Sequence, residues 1–164
     1  MKKILLLITL SLLIFSMTGC SLFGPKIVKE TETNITKISV ERMEELVIAN
    51  NDVVDTIYGN PKFFTTAELR GHVSEFYTEE VIKNYFSQKV FYDKDNKVYS
   101  TVSTDNRKNI SKMKFTIDSN TIKLMNDTQT FTVSFTDGET EYLLDFSVIY
   151  NEKQNEWLLC DIYL

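Results

Sequence analysis

The sequence predicts an α+β protein in which N-terminal helices pack on one face of a curved antiparallel sheet. Apolar residues recur at intervals of three and four over residues 38–86, which is typical of amphipathic helices. From residue 90 onward the interval changes to two, and short polar turns separate the alternating runs. Helices followed by consecutive hairpins favour a fold in which the two kinds of element form separate layers.

The first nineteen residues have the organisation of a secretory signal. Lys2 and Lys3 precede an apolar run over residues 4–15, and small residues follow up to Cys20. The apolar run is shorter than the roughly 20 residues that span a bilayer. Met17-Thr18-Gly19-Cys20 resembles the bacterial lipobox. This resemblance implies that residues 1–19 are removed, that Cys20 is lipidated, and that the protein is anchored to the outer face of the cell membrane.

Composition divides the remaining chain into a tether and one domain. Residues 20–36 comprise the lipidated cysteine and a polar segment broken by Gly24-Pro25, and residues 37–164 form a single extracytoplasmic domain. The formal net charge is −5, and the signal contributes only positive charges, so the mature chain is more acidic still. An acidic domain does not suit nucleic acid or an anionic lipid surface, so we expect attachment through the lipid alone.

The first helix is predicted over residues 38–58. Its apolar side chains repeat at helical spacing and form one face. Asn50 and Asn51 weaken the middle of the pattern, and Gly59-Asn60-Pro61 ends it, because glycine suits a left-handed cap and proline cannot continue a helix.

Two further helices are predicted before the strands. Thr65 and Glu68 match a capping box at the start of the second helix, and Thr78 caps a short third helix. The side chains expected to face inward are Leu69, Val73, Phe76, Val81, Ile82, Tyr85 and Phe86.

The strands are predicted from alternation and from turn residues. They cover residues 90–92, 98–99, 113–117, 121–125, 130–136, 141–150 and 157–164. The expected turns include Asp93-Lys94-Asp95-Asn96, Asp118-Ser119-Asn120 and the strong hairpin signal Asp137-Gly138. A polar loop is expected over residues 100–109.

No combination of residues is typical of an enzyme. His72 is the only histidine, and we interpret it as solvated or capping because no serine or cysteine has the context of a nucleophile. Cys160 lies in an apolar run and is interpreted as a buried structural thiol. We therefore expect no enzymatic activity, no cofactor and no metal.

Two acidic features have alternative interpretations. Asp145 is expected on the outer face of the sheet, with Asp161 near it, and paired carboxylates can perform acid–base chemistry. Solvated acids on a polar face are the commoner case. The segment Asp93-Lys94-Asp95-Asn96-Lys97 is similar to a calcium loop, but it has neither the required glycine nor the bidentate glutamate, so a simple turn is favoured.

The order of elements is similar to the cone-shaped nuclear-transport-factor-2-like and cystatin-like layouts. This likeness implies an alternative function, a lipoprotein that binds a ligand or acts as a scaffold at the cell envelope. A ligand pocket inside the cone would be lined by strand residues such as Phe131, Phe135, Tyr142 and Phe146.

A second resemblance is carried by residue pattern between Thr65 and Tyr99. The matching runs are Thr66-Ala67-Glu68-Leu69, Glu75-Phe76-Tyr77-Thr78-Glu79-Glu80, Tyr85-Phe86 and Tyr92-Asp93-Lys94-Asp95-Asn96-Lys97-Val98-Tyr99, with Asn155-Glu156-Trp157 near the end of the sheet. This pattern resembles the IseA family of DL-endopeptidase inhibitors. Members of that family are extracytoplasmic proteins of Gram-positive bacteria that block cell-wall hydrolases of the NlpC/P60 type.

The resemblance implies a non-enzymatic, lipid-anchored inhibitor that limits peptidoglycan cleavage. The family binds its partner through loops next to the helices. Carried over to this chain, that surface comprises the hairpin and the polar loop at 100–109, and its partner-binding residues are Tyr92, Asp93, Lys94, Asp95, Lys97 and Tyr99. The chain departs from the family pattern by its lipobox and by the sequence of this loop.

Overall fold

The computed structural model describes residues 37–86, 90–104, 107–125 and 127–164. Three helical segments precede all of the strands, and the strands form one four-stranded and one two-stranded antiparallel sheet. The predicted α+β class is confirmed.

Helix α1 spans Val40–Ile57 and begins where the side chain of Ser39 accepts a hydrogen bond from the Arg42 backbone amide. Its apolar stripe is buried, in agreement with the predicted amphipathic pattern. Gly59 follows the helix at φ +80°, a left-handed conformation that glycine adopts without steric cost.

Helix α2 spans Thr66–Phe76 and confirms the predicted start. The Thr65 hydroxyl accepts from the Glu68 amide at 3.1 Å, and the Glu68 carboxylate accepts from the Phe64 amide at 2.9 Å. Helix α3 is a single turn, Glu79–Val81, capped by Thr78 and continued as a π-helical turn over Ile82–Phe86. The prediction that Tyr85 faces inward is wrong, because its ring is 37% exposed.

A separate hairpin follows the helices. Strand β1 spans Phe91–Lys94, and strand β2 spans Lys97–Ser100. Asp95 and Asn96 join them with φ values of 52° and 56°, the positive angles that a two-residue type I′ turn requires. The turn is therefore shorter than the four residues predicted.

The main sheet is a four-stranded meander. A 3₁₀ turn at Ile110–Lys112 leads into β3 (Lys114–Met125), β4 (Thr128–Thr136), β5 (Glu141–Asn151) and β6 (Glu156–Leu159), and these strands pair in chain order. Gly138, at φ +99°, lies in the predicted turn between β4 and β5. Along β4 the side chains alternate strictly between buried and half-buried positions, as the sequence pattern predicts.

Strand β3 corrects the prediction of two short strands with a turn at residues 118–120. The chain continues as one strand, and the pairing register with β4 shifts between Asp118 and Lys123. The Asp118 side chain accepts from the Asn120 amide at 2.9 Å, and the Thr121 hydroxyl accepts from the Thr132 amide at 2.8 Å. Turn-forming residues here interrupt the pairing register, and side-chain hydrogen bonds replace the missing ladder bonds.

The last strand is shorter than predicted. Strand β6 ends at Leu159, and the chain bends near Asp161, whose carboxylate accepts from the Ile162 amide at 2.8 Å. Beyond the bend, the side chain of Asn50 in α1 binds both the carbonyl (2.8 Å) and the amide (2.9 Å) of Tyr163. The C-terminal segment therefore pairs with a helix side chain instead of a strand.

The core lies between the helices and the inner face of the main sheet. Its fully buried members come from α1, α2 and the strands. The largest are Tyr77, Phe131, Phe135, Phe146, Met43, Leu46, Leu69 and Leu159. Burial of each such side chain stabilises the fold by about 1.5–3 kcal/mol. This packed layer supports the hairpin and fixes its position relative to α2.

Candidate functional site

The β1–β2 hairpin carries all six residues that the sequence assigns to partner binding. Register pairs Tyr92 with Tyr99 and Lys94 with Lys97. Because side chains two apart along a strand share a face, these four side chains lie on one face of the hairpin. We call this set of four residues the tyrosine–lysine face.

The two tyrosines form a stacked pair. Their ring centroids lie 6.1 Å apart with an interplanar angle of 29°. Tyr92 is 44% exposed and Tyr99 is half-buried. Stacked phenol rings that stay in contact with solvent offer rigid apolar area together with polar hydroxyl groups, a combination that is common at protein interfaces.

The two lysines add a local positive charge to an acidic chain. Lys94 and Lys97 lie directly opposite each other and are both exposed. Like charges at opposed positions of an antiparallel pair destabilise the pair. An anionic group bound between the two ammonium groups would relieve that repulsion.

Asp93 does not belong to the tyrosine–lysine face. Its carboxylate accepts hydrogen bonds from the amide of Thr66 at 2.6 Å and from the hydroxyl of Thr66 at 3.2 Å. A carboxylate at this position satisfies a free amide at the start of α2 and interacts favourably with the helix dipole. The structure therefore gives Asp93 a structural role, whereas the sequence assigns it to partner binding. Asp95 lies in the turn and is exposed.

The inner face of the hairpin is fixed to the domain. Val98 is fully buried, and its amide donates to the carbonyl of Phe63 at 3.1 Å. Phe91 is also buried and stacks on Phe86, with centroids 5.0 Å apart. Because one face is held by these contacts, the tyrosine–lysine face has a defined orientation.

Phe64 is an exposed aromatic residue that the sequence analysis missed. Phe64 follows Phe63, whose carbonyl accepts a hydrogen bond from the amide of Val98 in β2. Phe64 is 66% exposed. The signal available in the sequence was the pair Phe63-Phe64 between a proline and a capping box. Only the packing distinguishes the buried member of this pair from the exposed one.

The loop predicted at 100–109 is tied to the domain at several points. Lys108 pairs with Asp137, and Asn109 accepts from the amide of Ser111. The side chain of Arg107 lines a cavity beside the C-terminal segment. Residues 105 and 106 lie outside the described residues.

The rings expected to line a ligand pocket under the sheet fill that space instead. Phe131, Phe135 and Phe146 are each at most 1% exposed. Their centroids lie 5.6 Å (Phe131 to Phe146) and 6.3 Å (Phe135 to Phe146) apart. Tyr142 is half-buried against the same cluster. The three phenylalanine rings are therefore part of the buried core.

Asp145 and Asp161 have separate surroundings. Asp145 is exposed on the outer face of the sheet, as predicted, and accepts from the hydroxyl of Thr132 at 2.7 Å. Asp161 accepts from the hydroxyl of Tyr85 at 3.2 Å and lines the cavity beside Arg107. Asp145 is not among the described residues that line this cavity.

His72 and Cys160 have surroundings that do not suggest catalysis. His72 packs between Phe63 and Phe76 at 5.1 and 5.0 Å, and its Nε2 atom is buried without a hydrogen-bond partner in the described part of the chain. The interpretation of His72 as solvated or capping is therefore wrong. Cys160 is half-buried, and burial together with Asp161 and Glu80 raises the pKa of its thiol to about 11. It is a thiol, not a reactive thiolate, at neutral pH.

The remaining findings concern metal binding, membrane-spanning helices, Cys20 and similarity to known proteins. Among residues 37–164, outside the gaps at 87–89, 105–106 and 126, no cluster of three or more histidine, cysteine or acidic side chains could hold a metal. Within the same described residues, no helix has the length and apolarity needed to cross a membrane. Cys20 lies outside the described residues. No protein-family model matches the chain, and no curated protein matches it significantly.

Proposed function

We propose that the protein is a lipid-anchored, non-enzymatic inhibitor of a peptidoglycan DL-endopeptidase at the outer face of the cell membrane. It would bind the enzyme through the tyrosine–lysine face of the β1–β2 hairpin. The lipid on Cys20 would hold the inhibitor near the cell wall, where such enzymes act.

One observation carries the proposal. A stacked tyrosine pair, with Tyr92 exposed and Tyr99 half-buried, and an opposed lysine pair share one face of a hairpin whose other face is packed on the domain. Rigid aromatic contact area costs little conformational entropy on binding, so it suits an interface better than flexible side chains do. The hairpin ends in a two-residue turn, and this end would enter the cleft of the enzyme.

The lysine pair predicts the charge of the complementary surface. Lys94 and Lys97 repel each other in the free protein, so a carboxylate of the enzyme placed between them would gain energy from both. Binding through this face should therefore weaken as salt concentration rises, because the lysines are exposed and screened.

Peptidoglycan digestion by purified NlpC/P60-type endopeptidases tests the proposal. The chain from Ser21 onward is added in stoichiometric amounts while digestion and complex formation are followed together. We expect one-to-one inhibition. Tyr92→Ala and Tyr99→Ala should each weaken the complex by about 30-fold, since a central aromatic contact contributes about 2 kcal/mol.

Leu143→Ala provides the matched control. Leu143 is 64% exposed on the outer face of the main sheet, so the change also removes exposed apolar area without touching the hairpin. It should leave inhibition unchanged. Two outcomes would contradict the proposal. One is that the tyrosine variants and the leucine variant weaken the complex equally, and the other is that no complex forms with any such enzyme.

A further inference from the structure

The cavity beside the C-terminal segment has the chemistry of a small-molecule site. Its volume is about 330 Å³, which lies at the lower end of the range for ligand pockets. It is separate from the hairpin face that carries the proposed inhibition. The described side chains that line it are Ile57, Tyr85, Val90, Phe91, Val102, Arg107, Asp161, Ile162 and Leu164.

Among the described lining residues, all are apolar except one cation, one anion and one phenol. Arg107 supplies the positive charge, and Asp161 supplies the negative charge. In the described part of the chain, no ion pair joins these two side chains and no carboxylate lies within ion-pair distance of Arg107. A cavity with two opposite charges that do not neutralise each other fits a ligand that carries both charges itself.

The surroundings of Arg107 contain a second group without a partner. The hydroxyl of Tyr58 is buried and has no hydrogen-bond partner in the described residues. Burial raises the pKa of Tyr58, and the positive charge of Arg107 opposes that rise. Tyr58 follows Ile57 of the lining but is not itself among the described lining residues. Buried polar groups without partners are rare in folded proteins and often mark a ligand or water position.

Asp161 is already held in position. Its carboxylate accepts from the Tyr85 hydroxyl at 3.2 Å and from the Ile162 amide at 2.8 Å. A carboxylate has about four acceptor sites, so these two bonds leave capacity for an ammonium group. The aromatic and aliphatic side chains around it would enclose an apolar body.

We propose that this cavity binds a free α-amino acid with an apolar side chain. Arg107 would bind the α-carboxylate, Asp161 would bind the α-ammonium group, and Ile57, Val102 and Leu164 would contact the side chain. A guanidinium group recognises a carboxylate with two parallel hydrogen bonds, which gives the site orientation as well as affinity.

Calorimetric titration of the chain from Ser21 onward with leucine and three analogues tests this assignment. Leucine should bind. Leucinamide, which has no carboxylate, and N-acetylleucine, which has no ammonium group, should each bind at least about tenfold more weakly, because each leaves Arg107 or Asp161 without its charged partner on the ligand. 4-Methylpentanoate, which has the carboxylate but no amino group, should be equally weakened.

Two variants connect the ligand groups to the side chains. Arg107→Gln should lower the affinity for leucine by at least about tenfold and should lower the affinity for leucinamide little further. Asp161→Asn keeps the acceptor oxygen for Tyr85 and Ile162. This variant should lower the affinity for leucine by at least about tenfold and should lower the affinity for N-acetylleucine little further. Lys108→Gln is the control, since this neighbouring cation pairs with Asp137 and is not among the described lining residues.

The analogue series decides the outcome even if a variant folds poorly. No heat from leucine or phenylalanine at millimolar concentration would overturn the assignment. Equal binding of leucine and 4-methylpentanoate would also overturn it, since the ligand would then be an apolar carboxylate. Because the inhibition test uses the hairpin and needs no amino acid, failure of one proposal leaves the other standing.

Discussion

At the scale of single residues, Asn50 shows what sequence reasoning reaches and what it misses. Asn50 and Asn51 appear equivalent in the sequence, where both weaken the helical pattern. In the structure Asn50 is fully buried and binds three groups: the amide and carbonyl of Tyr163 and the hydroxyl of Tyr77. Its partners lie far along the chain, so no local pattern could identify it.

Asn50→Ala should lower the free energy of unfolding by about 3 kcal/mol. The change leaves the backbone of Tyr163 and the hydroxyl of Tyr77 without their partner in a buried position, and each such loss costs about 1–3 kcal/mol. Urea unfolding followed by circular dichroism measures the difference. Asn51→Ala is the control and should not lower the free energy of unfolding, because the change removes a buried oxygen atom, Oδ1, that has no hydrogen-bond partner in the described residues. Equal losses in the two variants would contradict this role.

Asp55 is the second residue whose role depends on packing. Its side chain is 3% exposed, accepts from the hydroxyl of Ser111 at 2.5 Å and pairs with Lys112 at 3.0 Å and Lys62 at 3.5 Å. Burial acts to raise the pKa of Asp55, but the hydrogen bonds from Ser111 and Lys112 and the two lysine charges outweigh it, so the pKa lies below its ordinary value of 3.8.

This pKa predicts an acid-sensitive contribution to stability. A carboxyl whose pKa is lower in the folded state stabilises the fold above the unfolded value of about 3.9, and this stabilisation is lost as pH falls through the folded value. Asp55→Asn should therefore be less stable than the natural chain by about 2 kcal/mol at pH 7, and the difference should shrink as the pH drops below about 4. Urea midpoints at several pH values test this. A difference that stays constant with pH would contradict it.

At the scale of elements, local signals predicted boundaries well where the deciding groups are close in sequence, and poorly where a distant part of the chain decides. The predicted helix start at Thr65 is confirmed because its hydroxyl and the Glu68 amide lie within one helical turn, and the Glu68 carboxylate accepts from the amide of Phe64, one residue before the cap. The register shift after Asp118 was predicted as a turn between two strands, since the same residue types form a turn or an irregular strand depending on the neighbouring strand. Strand β6 was predicted too long because the chain bends near Asp161, and beyond the bend the amide of Tyr163 donates a hydrogen bond to the Asn50 side chain and not to a neighbouring strand.

Asp93 of β1 binds the first amide of α2. Substitution of Asp93 should therefore lower stability, whereas substitution of Tyr92 on the tyrosine–lysine face should affect partner binding. Asp93→Ala should lower the free energy of unfolding by about 1 kcal/mol, because α2 loses a carboxylate at its first amide. Tyr92→Ala, one residue away on the opposite face, should change stability by about 0.5 kcal/mol or less. Thermal unfolding of the two variants measures the contrast. A larger loss for the tyrosine variant would indicate that its ring supports the hairpin and is not free to bind a partner.

At the scale of the whole molecule, the order of elements and the alternating burial were predictable because they depend on local periodicity. The surface properties were not. The sequence places six residues of the hairpin together, but only the register between β1 and β2 shows that Tyr92, Lys94, Lys97 and Tyr99 share a face and that Asp93 does not. The cavity at Arg107 and Asp161 could not be predicted from the sequence either, because α1, β1 and the C-terminal segment each contribute residues to its lining.

The measurement that tests the central claim most directly is hydrogen exchange of the protein bound to a DL-endopeptidase. Binding through the tyrosine–lysine face predicts that the amides of Phe91–Lys94 and Lys97–Ser100 exchange more slowly in the complex. The outer face of the main sheet, around Leu143 and Asp145, should exchange at the same rate with and without the enzyme. Protection of the sheet with no change in the hairpin would contradict the account.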